Sequence, residues 1–177
     1  STLPTAHVRW FLGQTVLPEH FQALQESIDA ICELRARLSG LPHYGVAQLG
    51  WSEPLLADGV LAIVGVTAVL PEGAIISVPG NAILEPLSLS ATAATKLPVY
   101  LHITDEPLGT EGNRVYDGDP RVVERVLYRA HLSISDNHDH TIGSIKLGEF
   151  EKGANGTWRL TAAYIPPLLH VGTTPIY

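Results

Sequence analysis

One amphipathic helical segment followed by a long succession of short β-type runs is the feature that most restricts the fold of this chain. After Gly40, roughly seven or eight runs of aliphatic, β-branched and aromatic residues are separated by clusters of turn-forming residues. An antiparallel β-sandwich is the simplest architecture that lets such strands bury an apolar face. We therefore expect a mainly β fold, an antiparallel β-sandwich with one N-terminal amphipathic α-helix.

Between the predicted strands, composition marks several regions as turns or loops. Glycine, proline and acidic residues concentrate at 105–120, which predicts a long loop, and the weakly patterned stretch 82–96 predicts an irregular surface crossing. Pro166 and Pro167 have no backbone N–H, so 165–169 is not expected to form a regular strand. Strands are expected at 44–51, 60–70 (buried on much of both faces), 74–78, 97–104, 121–134 (with a helix as the alternative), 142–149 and 157–164.

The predicted helix is introduced by the motif WFLGQTVLPEHF at residues 10–21. Gly13 permits a tight bend, and Pro18 has the fixed φ and missing N–H that suit the first position of a helix. We expect His20, at the helix start, to pack and to form hydrogen bonds rather than to act in catalysis.

Along this helix the apolar residues follow the spacing of a heptad seam. They are Phe21, Leu24, Ile28, Ile31 and Leu38. Because the remaining positions are mostly polar, only one stripe needs burial. The helix therefore either lies on its own sheet or pairs with other chains. Cys32, in the same helix, is expected to be a buried structural thiol.

Length and charge narrow the classes of function. A chain of 177 residues suits a single domain, 1–177, with a lead-in and helix at 8–39, strands within 44–164 and a proline-rich exit at 165–177. The net charge of −7 argues against binding to nucleic acid or to anionic membranes. The longest apolar run is too short to span a bilayer, so no membrane insertion is expected.

The sequence contains no assembled catalytic motif. Neither a G-x-S-x-G nor a G-x-x-x-x-G-K-[ST] pattern occurs, and the acidic pairs Glu106/Glu111 and Asp117/Asp119 lie in the predicted loop. His138 and His140 have the alternate spacing of two metal ligands on a strand, but the nearest downstream carboxylate, Glu149, is nine residues away. We expect no enzyme and no cofactor, and keep a metal- or carbohydrate-binding sandwich centred on His138 and His140 as the alternative.

Four motifs in order resemble the N-terminal region of the TssK family, also called ImpJ or VasE, of bacterial type VI secretion baseplates. The first is the W-x-x-G-x-x-x-x-P-x-H-F pattern of residues 10–21. Pro42 with residues 44–46, the turn at 70–73 and the YIPPLL sequence of residues 164–169 follow. The sequence departs from the family's pattern at Thr15 and at Leu17. These departures concern the packing of the lead-in more than the resemblance itself.

The resemblance implies a structural adaptor rather than an enzyme. It implies a β-sandwich similar to the shoulder domain of phage receptor-binding proteins, docking onto the TssF/TssG wedge, and a trimer in the full-length protein. It also implies a helical bundle and a C-terminal head, both absent from this chain, of which the head meets the membrane complex. The expected location is the cytoplasm, at the cytoplasmic face of the inner membrane.

Partner or subunit contacts are expected at the aromatic and apolar positions of the helix and at the closing prolines, since buried aromatics dominate such interfaces. The predicted contact residues are Trp10, Phe11, Gly13, Pro18, His20, Phe21, Leu24, Ile28, Ile31, Pro166 and Pro167.

Overall fold

The computed structural model describes residues 5–114, 122–137 and 139–169, with only the backbone described for the strand residues between 105 and 126. Contacts divide the chain into two compact units, unit 1 (Ser1–His43) and unit 2 (Tyr44–Tyr177). The sequence predicted a single domain, 1–177. That the two units act as one domain stays a prediction.

Unit 1 consists of an irregular lead-in and one long helix, α1 (Pro18–Leu38). The helix begins at the predicted proline, and Glu19 in its first turn and Arg35 and Arg37 in its last turn complement the helix dipole. No helix in the described part of the chain is both long and apolar enough to cross a membrane.

The burial of α1 differs from the predicted heptad stripe. Its two buried residues are Ser27 and Ala30, whereas Phe21, Ile28 and Leu38 are exposed. Leu24 and Ile31 are half-buried, so only part of the apolar stripe is covered. Cys32 is exposed, and its predicted burial is wrong.

Unit 2 contains the strands and two short helical turns. The five-residue helix α2 (Glu53–Ala57) follows the first strand, and a 3-10 turn spans Leu89–Ala91. The strands are β1 (Gly45–Trp51), β2 (Val60–Leu61), β3 (Ile63–Val69), β4 (Ile75–Val78), β5 (Ala82–Leu84), β6 (Leu87–Ser88), β7 (Lys96–Arg114), β8 (Val122–Ser133), β9 (Thr141–Lys152) and β10 (Trp158–Leu160).

These strands form two packed sheets and a small ribbon. One sheet has the order β1-β3-β4, the other the order β10-β9-β7-β8-β5, and β2 pairs with β6. Among the pairs of described strands only β5 and β8 run parallel, so the sandwich is mainly antiparallel. A core cluster joins residues of both larger sheets, among them Val46, Val66, Leu101 and Ile145. The predicted mainly β fold with one N-terminal helix is confirmed.

Unit 2 has a second core cluster. It contains Phe150 and Trp158 with Leu56 of α2 and Leu89 of the 3-10 turn, and the ring of Trp51 meets that of Phe150 edge-on at 6.3 Å. Leu56, the buried residue of α2, anchors the helix to this cluster.

Several predicted boundaries are corrected. Residues 60–70 form two strands in different sheets, and β3 buries one face only, since Val66 and Ala68 are buried while Val64 is exposed. The predicted irregular crossing contains β5, β6 and the 3-10 turn. The predicted loop is strand as far as Arg114, whereas 115–120 lies outside the described residues. The last predicted strand is limited to Trp158–Leu160.

Candidate interaction surface

The lead-in segment, residues 10–17, turns sharply before it reaches α1. Gly13 has φ +84°, a conformation that costs a residue with a side chain strain energy, and no atom lies within 4 Å of the position of a Cβ there. The N–H of Gln14 donates to the carbonyl of Phe11 at 3.2 Å and closes the turn. Glycine is therefore required by conformation and not by space.

His20 joins the lead-in to the start of the helix. Its Nδ1 accepts a hydrogen bond from the N–H of Leu17 at 3.0 Å, which is the N3 side-chain half of a capping box. Leu17 has no side-chain acceptor, so the other half is not formed. The predicted role of His20, packing and hydrogen bonding, is confirmed.

The side-chain amide of Gln14 completes this cap. It lies 3.0 Å from Nε2 of His20 and 3.3 Å from the N–H of Phe11. An imidazole whose Nδ1 accepts carries its proton on Nε2. The Nε2–H of His20 and the N–H of Phe11 are then both donors, and the amide of Gln14 has only its oxygen as an acceptor. Because the His20 contact is the shorter one, it favours an orientation with the amide oxygen towards His20.

Three aromatic side chains are held at the surface by this arrangement. The ring of Trp10 lies 5.9 Å from that of His20 and 6.1 Å from that of Phe21, both tilted. Trp10, Phe11 and Phe21, which we call the aromatic patch, are 43%, 65% and 57% exposed. The patch combines an ordered backbone with large apolar side chains in solvent.

Further apolar side chains of unit 1 are exposed. Ten of the sixteen exposed large hydrophobic residues in the described part of the chain belong to this smaller unit. A concentration of exposed apolar side chains is typical of interaction sites. Beyond the aromatic patch they are Leu12, Val16, Leu17, Ile28, Leu34, Leu38 and Leu41.

The predicted contact residues do not all lie on this surface. In unit 1, Gly13, Pro18 and Ile28 are exposed alongside the aromatic patch, while His20, Leu24 and Ile31 are half-buried. In unit 2, Pro166 is buried and Pro167 half-buried. Their assignment as contact residues stays a prediction. The prediction left out Leu12, Val16 and Leu17, which are also exposed. Leu12 directly follows Trp10 and Phe11 in the sequence, and this was a usable signal.

The closing prolines belong to the exit segment, residues 164–169. Its backbone pairs in parallel with β1 through the bridge between Val46 and Leu168. The N–H of Val46 donates to the carbonyl of Pro167 at 2.8 Å, and the N–H of Leu169 donates to the carbonyl of Val46 at 3.0 Å. A proline has no N–H to donate, but its carbonyl still accepts.

A charged cluster holds the beginning of the exit segment. Nζ of Lys146 lies 4.0 Å from the ring centre of Tyr164, and Glu149 pairs with both Lys146 and Lys96 at 2.8 Å. Hydrogen bonds from these two ammonium groups lower the pKa of Glu149 to about 2. The hydrogen bond to Glu149 raises the pKa of Lys146, and burial raises that of Tyr164. The arrangement is a structural ion-pair network.

The alternative metal site has no support among the described residues. No group of three or more His, Cys, Asp or Glu side chains there is placed to hold an ion. His140 lies in a turn with φ +57°, and His138 lies outside the described residues.

A family model decides the relationship of this chain to known proteins. The model for bacterial type VI secretion proteins (VC_A0110, EvfL, ImpJ, VasE) matches residues 20–120, more than half of the chain. The chain belongs to this family. The resemblance seen in the four motifs is thereby confirmed at the level of the VasE family.

A relative with a curated description agrees with the VasE assignment. TssK1, a type VI secretion system baseplate component of Pseudomonas aeruginosa PAO1, is 25% identical over 193 residues, covering 95% of this chain and 43% of that protein. This chain therefore spans less than half the length of that curated relative.

The solved structures establish a shared fold. A crystal structure of TssK has a TM-score of 0.75 at 19% identity, covering 97% of this chain and 44% of that chain. A chain of a TssK-TssF-TssG baseplate subcomplex, determined by cryo-electron microscopy, has a TM-score of 0.74 at 18% identity, covering 97% and 65%. At these identities the likeness concerns the fold alone.

Two of the VasE-like motifs now have a structural explanation in unit 2. At the 70–73 turn, the N–H of Leu70 donates to the carbonyl of Ala74 at 2.8 Å, and the carboxylate of Glu72 extends over Gly143 of β9. The YIPPLL motif forms the exit segment that pairs with β1. Both motifs stabilise unit 2.

Proposed function

We propose that this chain is a non-catalytic docking unit of a type VI secretion baseplate, and that its partner is the TssF/TssG wedge. The observation that carries the proposal is the aromatic patch, whose three side chains are exposed at the start of α1. Membership of the VasE family supports the setting, and a related fold occurs in a TssK-TssF-TssG subcomplex.

The patch has the properties of a binding hot spot. Large aromatic side chains supply most of the energy at many interfaces, and burying apolar area contributes roughly 25 cal/mol per Å². The His20 cap and the Phe11–Gln14 turn fix the backbone that carries Trp10 and Phe21. Because this backbone is already ordered, binding costs less conformational entropy than it would for a flexible segment.

The rest of the proposed assembly concerns the longer proteins of the family. We propose a trimer of the full-length protein and a link to the membrane complex through domains outside this chain. The corresponding location is the cytoplasmic face of the inner membrane. Family resemblance supports these points, and the acidic net charge of −7 is compatible with a partner other than nucleic acid.

The test is the affinity of the purified chain for a TssF–TssG complex from the same bacterium. Phe21→Ala and Trp10→Ala are each expected to raise the Kd by about tenfold or more, as truncation of a hot-spot residue does. Ile75→Ala is the matched control, because Ile75 is an exposed apolar residue of β4 in unit 2.

One outcome contradicts the docking role, and another contradicts the assignment of the aromatic patch as its contact surface. If the wild-type chain shows no binding to TssF–TssG, the docking role is wrong. If it binds but a folded Trp10→Ala/Phe21→Ala variant binds equally well, the docking role stands and the aromatic patch is not the contact surface. Circular dichroism of each variant shows whether it is folded.

A further inference from the structure

The first strand of the β-sandwich and the exit segment are neighbouring parallel segments. The first strand begins at Gly45, and the last described residue of the exit segment is Leu169. The backbone of Val46 forms hydrogen bonds with both Pro167 and Leu169, which is the pattern of a parallel ladder. The first and last described segments of unit 2 are thus joined by direct hydrogen bonds.

We propose that this contact is a mechanical clamp that keeps the sandwich of unit 2 folded when the chain is pulled at Gly45 and Leu169. In a parallel pair, tension on the chain before Gly45 and on the chain after Leu169 acts in opposite directions along the strands. The two hydrogen bonds lie across that direction, so they are loaded together in shear. An antiparallel pair pulled at adjoining ends would instead open one bond at a time.

Side-chain packing reinforces the clamp at three points of the exit segment. Leu168 packs against the main core cluster, Pro166 is buried, and Tyr164 lies under the ammonium group of Lys146. To slide past β1 the segment has to break these contacts as well as the hydrogen bonds. The clamp therefore has more resistance than two hydrogen bonds alone provide.

Gly45 permits the close approach on which the clamp depends. A Cβ at this position would lie 2.6 Å from the carbonyl oxygen and 2.9 Å from the carbonyl carbon of Pro167, both backbone atoms, and φ is +143°. Gly50, in the same strand, has its nearest neighbour, Cγ2 of Val64, at 3.6 Å, an ordinary contact. The two glycines provide a matched pair for a test.

The experiment is single-molecule pulling of the whole chain between two handle proteins. Rupture of unit 2 is recognised by the release of residues 45–169, at about 3.5 Å of contour length per residue. Wild type and Gly50→Ala are expected to rupture in one step at the same force. Gly45→Ala is expected to rupture about tenfold faster or more at a fixed load, since losing two net hydrogen bonds changes a rate by this order.

A second pulling direction separates shear from general stability. Pulling between the N-terminal handle and Glu72→Cys, in a Cys32→Ser background, loads the antiparallel pair of β1 and β3 at adjoining ends, because Gly45 pairs with Val69. We expect a lower rupture force in this direction. Equal forces in both directions overturn the clamp.

The remaining outcomes are also decisive. Equal rupture of Gly45→Ala and Gly50→Ala overturns the proposal. If Gly45→Ala does not fold, Leu169→Pro removes the N–H that donates to Val46 and leaves Gly45 unchanged, and its rupture is expected to be faster than that of wild type. Because no baseplate partner is present, failure here is distinguishable from failure of the proposed docking role.

Discussion

The N–H of Leu17 donates to Nδ1 of His20 at 3.0 Å, and this bond connects the lead-in segment to the first turn of α1. A Ser, Thr, Asp or Asn before the helix would accept from an N–H of its first turn, which Leu17 cannot do. The imidazole of His20 supplies the reciprocal half of a capping box, because it accepts from the N–H of Leu17 itself.

Removal of this cap is expected to loosen the start of the helix. His20→Ala should lower the stability of α1 by about 1 kcal/mol, the usual value of a cap, and speed hydrogen exchange in its first turn. His20→Gln should retain most of the protection, since glutamine is a natural partner at this position of a capping box. Equal exchange rates in wild type and His20→Ala would show that the bond does not stabilise the helix.

Gly143 is expected to tolerate no side chain. A Cβ there would lie 2.8 Å from Oε2 of Glu72 and 2.9 Å from Cδ1 of the buried Leu70. Overpacking costs typically about 1–3 kcal/mol, so Gly143→Ala should lower the urea midpoint by a corresponding amount.

A second substitution identifies which neighbour of Gly143 opposes the added methyl group. Glu72→Ala in the Gly143→Ala background should recover little stability, because the exposed Glu72 side chain can move and Leu70 in the core cannot. Full recovery would instead assign the cost to Glu72. Gly50→Ala, with its ordinary contacts, is the control for adding a methyl group to a strand.

The ion-pair network of Glu149, Lys96 and Lys146 predicts how the stability of the fold depends on pH. The folded-state pKa of Glu149, about 2, lies below its ordinary value of 4.5. Its contribution to the free energy of unfolding is therefore complete above pH 4.5 and is lost as the pH falls towards 2. The difference in melting temperature between wild type and Glu149→Gln should shrink across this window.

The titration itself can be followed directly. Carboxyl NMR of Glu149 should show a midpoint near the lowered pKa, and Lys96→Met with Lys146→Met should return it towards 4.5. Glu85→Gln, which removes an exposed carboxylate, is the control for net charge. An unchanged midpoint in the double Lys variant would show that the two ammonium groups are not the cause.

The exposed apolar residues of unit 1 are expected to contribute little to folding. Phe11→Ser and Ile28→Ser should each change the free energy of unfolding by less than about 0.5 kcal/mol and reduce the fluorescence of a dye that binds apolar surfaces. Leu56→Ala, at a site 1% exposed, should cost about 2–5 kcal/mol. A large loss of stability in Ile28→Ser would show that this side chain stabilises the fold.

Local chemistry made some elements predictable. Pro18 marked the helix start correctly because a proline at the first position loses no hydrogen bond. The extent of β7 was not predictable, because glycine and proline within 105–114 are typical of loops. In the structure Pro107 and Gly109 lie at register shifts of the β7–β8 ladder, where a bulge accommodates them.

The candidate surface was predictable in location but not in exposure. The motif at residues 10–21 identified Trp10 and Phe21, whose exposure depends on tertiary structure. Heptad spacing ranked Ile28 as buried and left out Ser27, yet the structure covers Ser27 and exposes Ile28. Hydrophobicity alone cannot say which side of a helix its surroundings cover.

The pairing of Val46 with Leu168 also bears on the order in which unit 2 folds. The two residues are more than one hundred positions apart in the sequence, so their bridge closes a long loop of chain. Closing such a loop costs entropy before the contact repays it. We therefore expect the bridge to form late, after the strands between the two residues have paired.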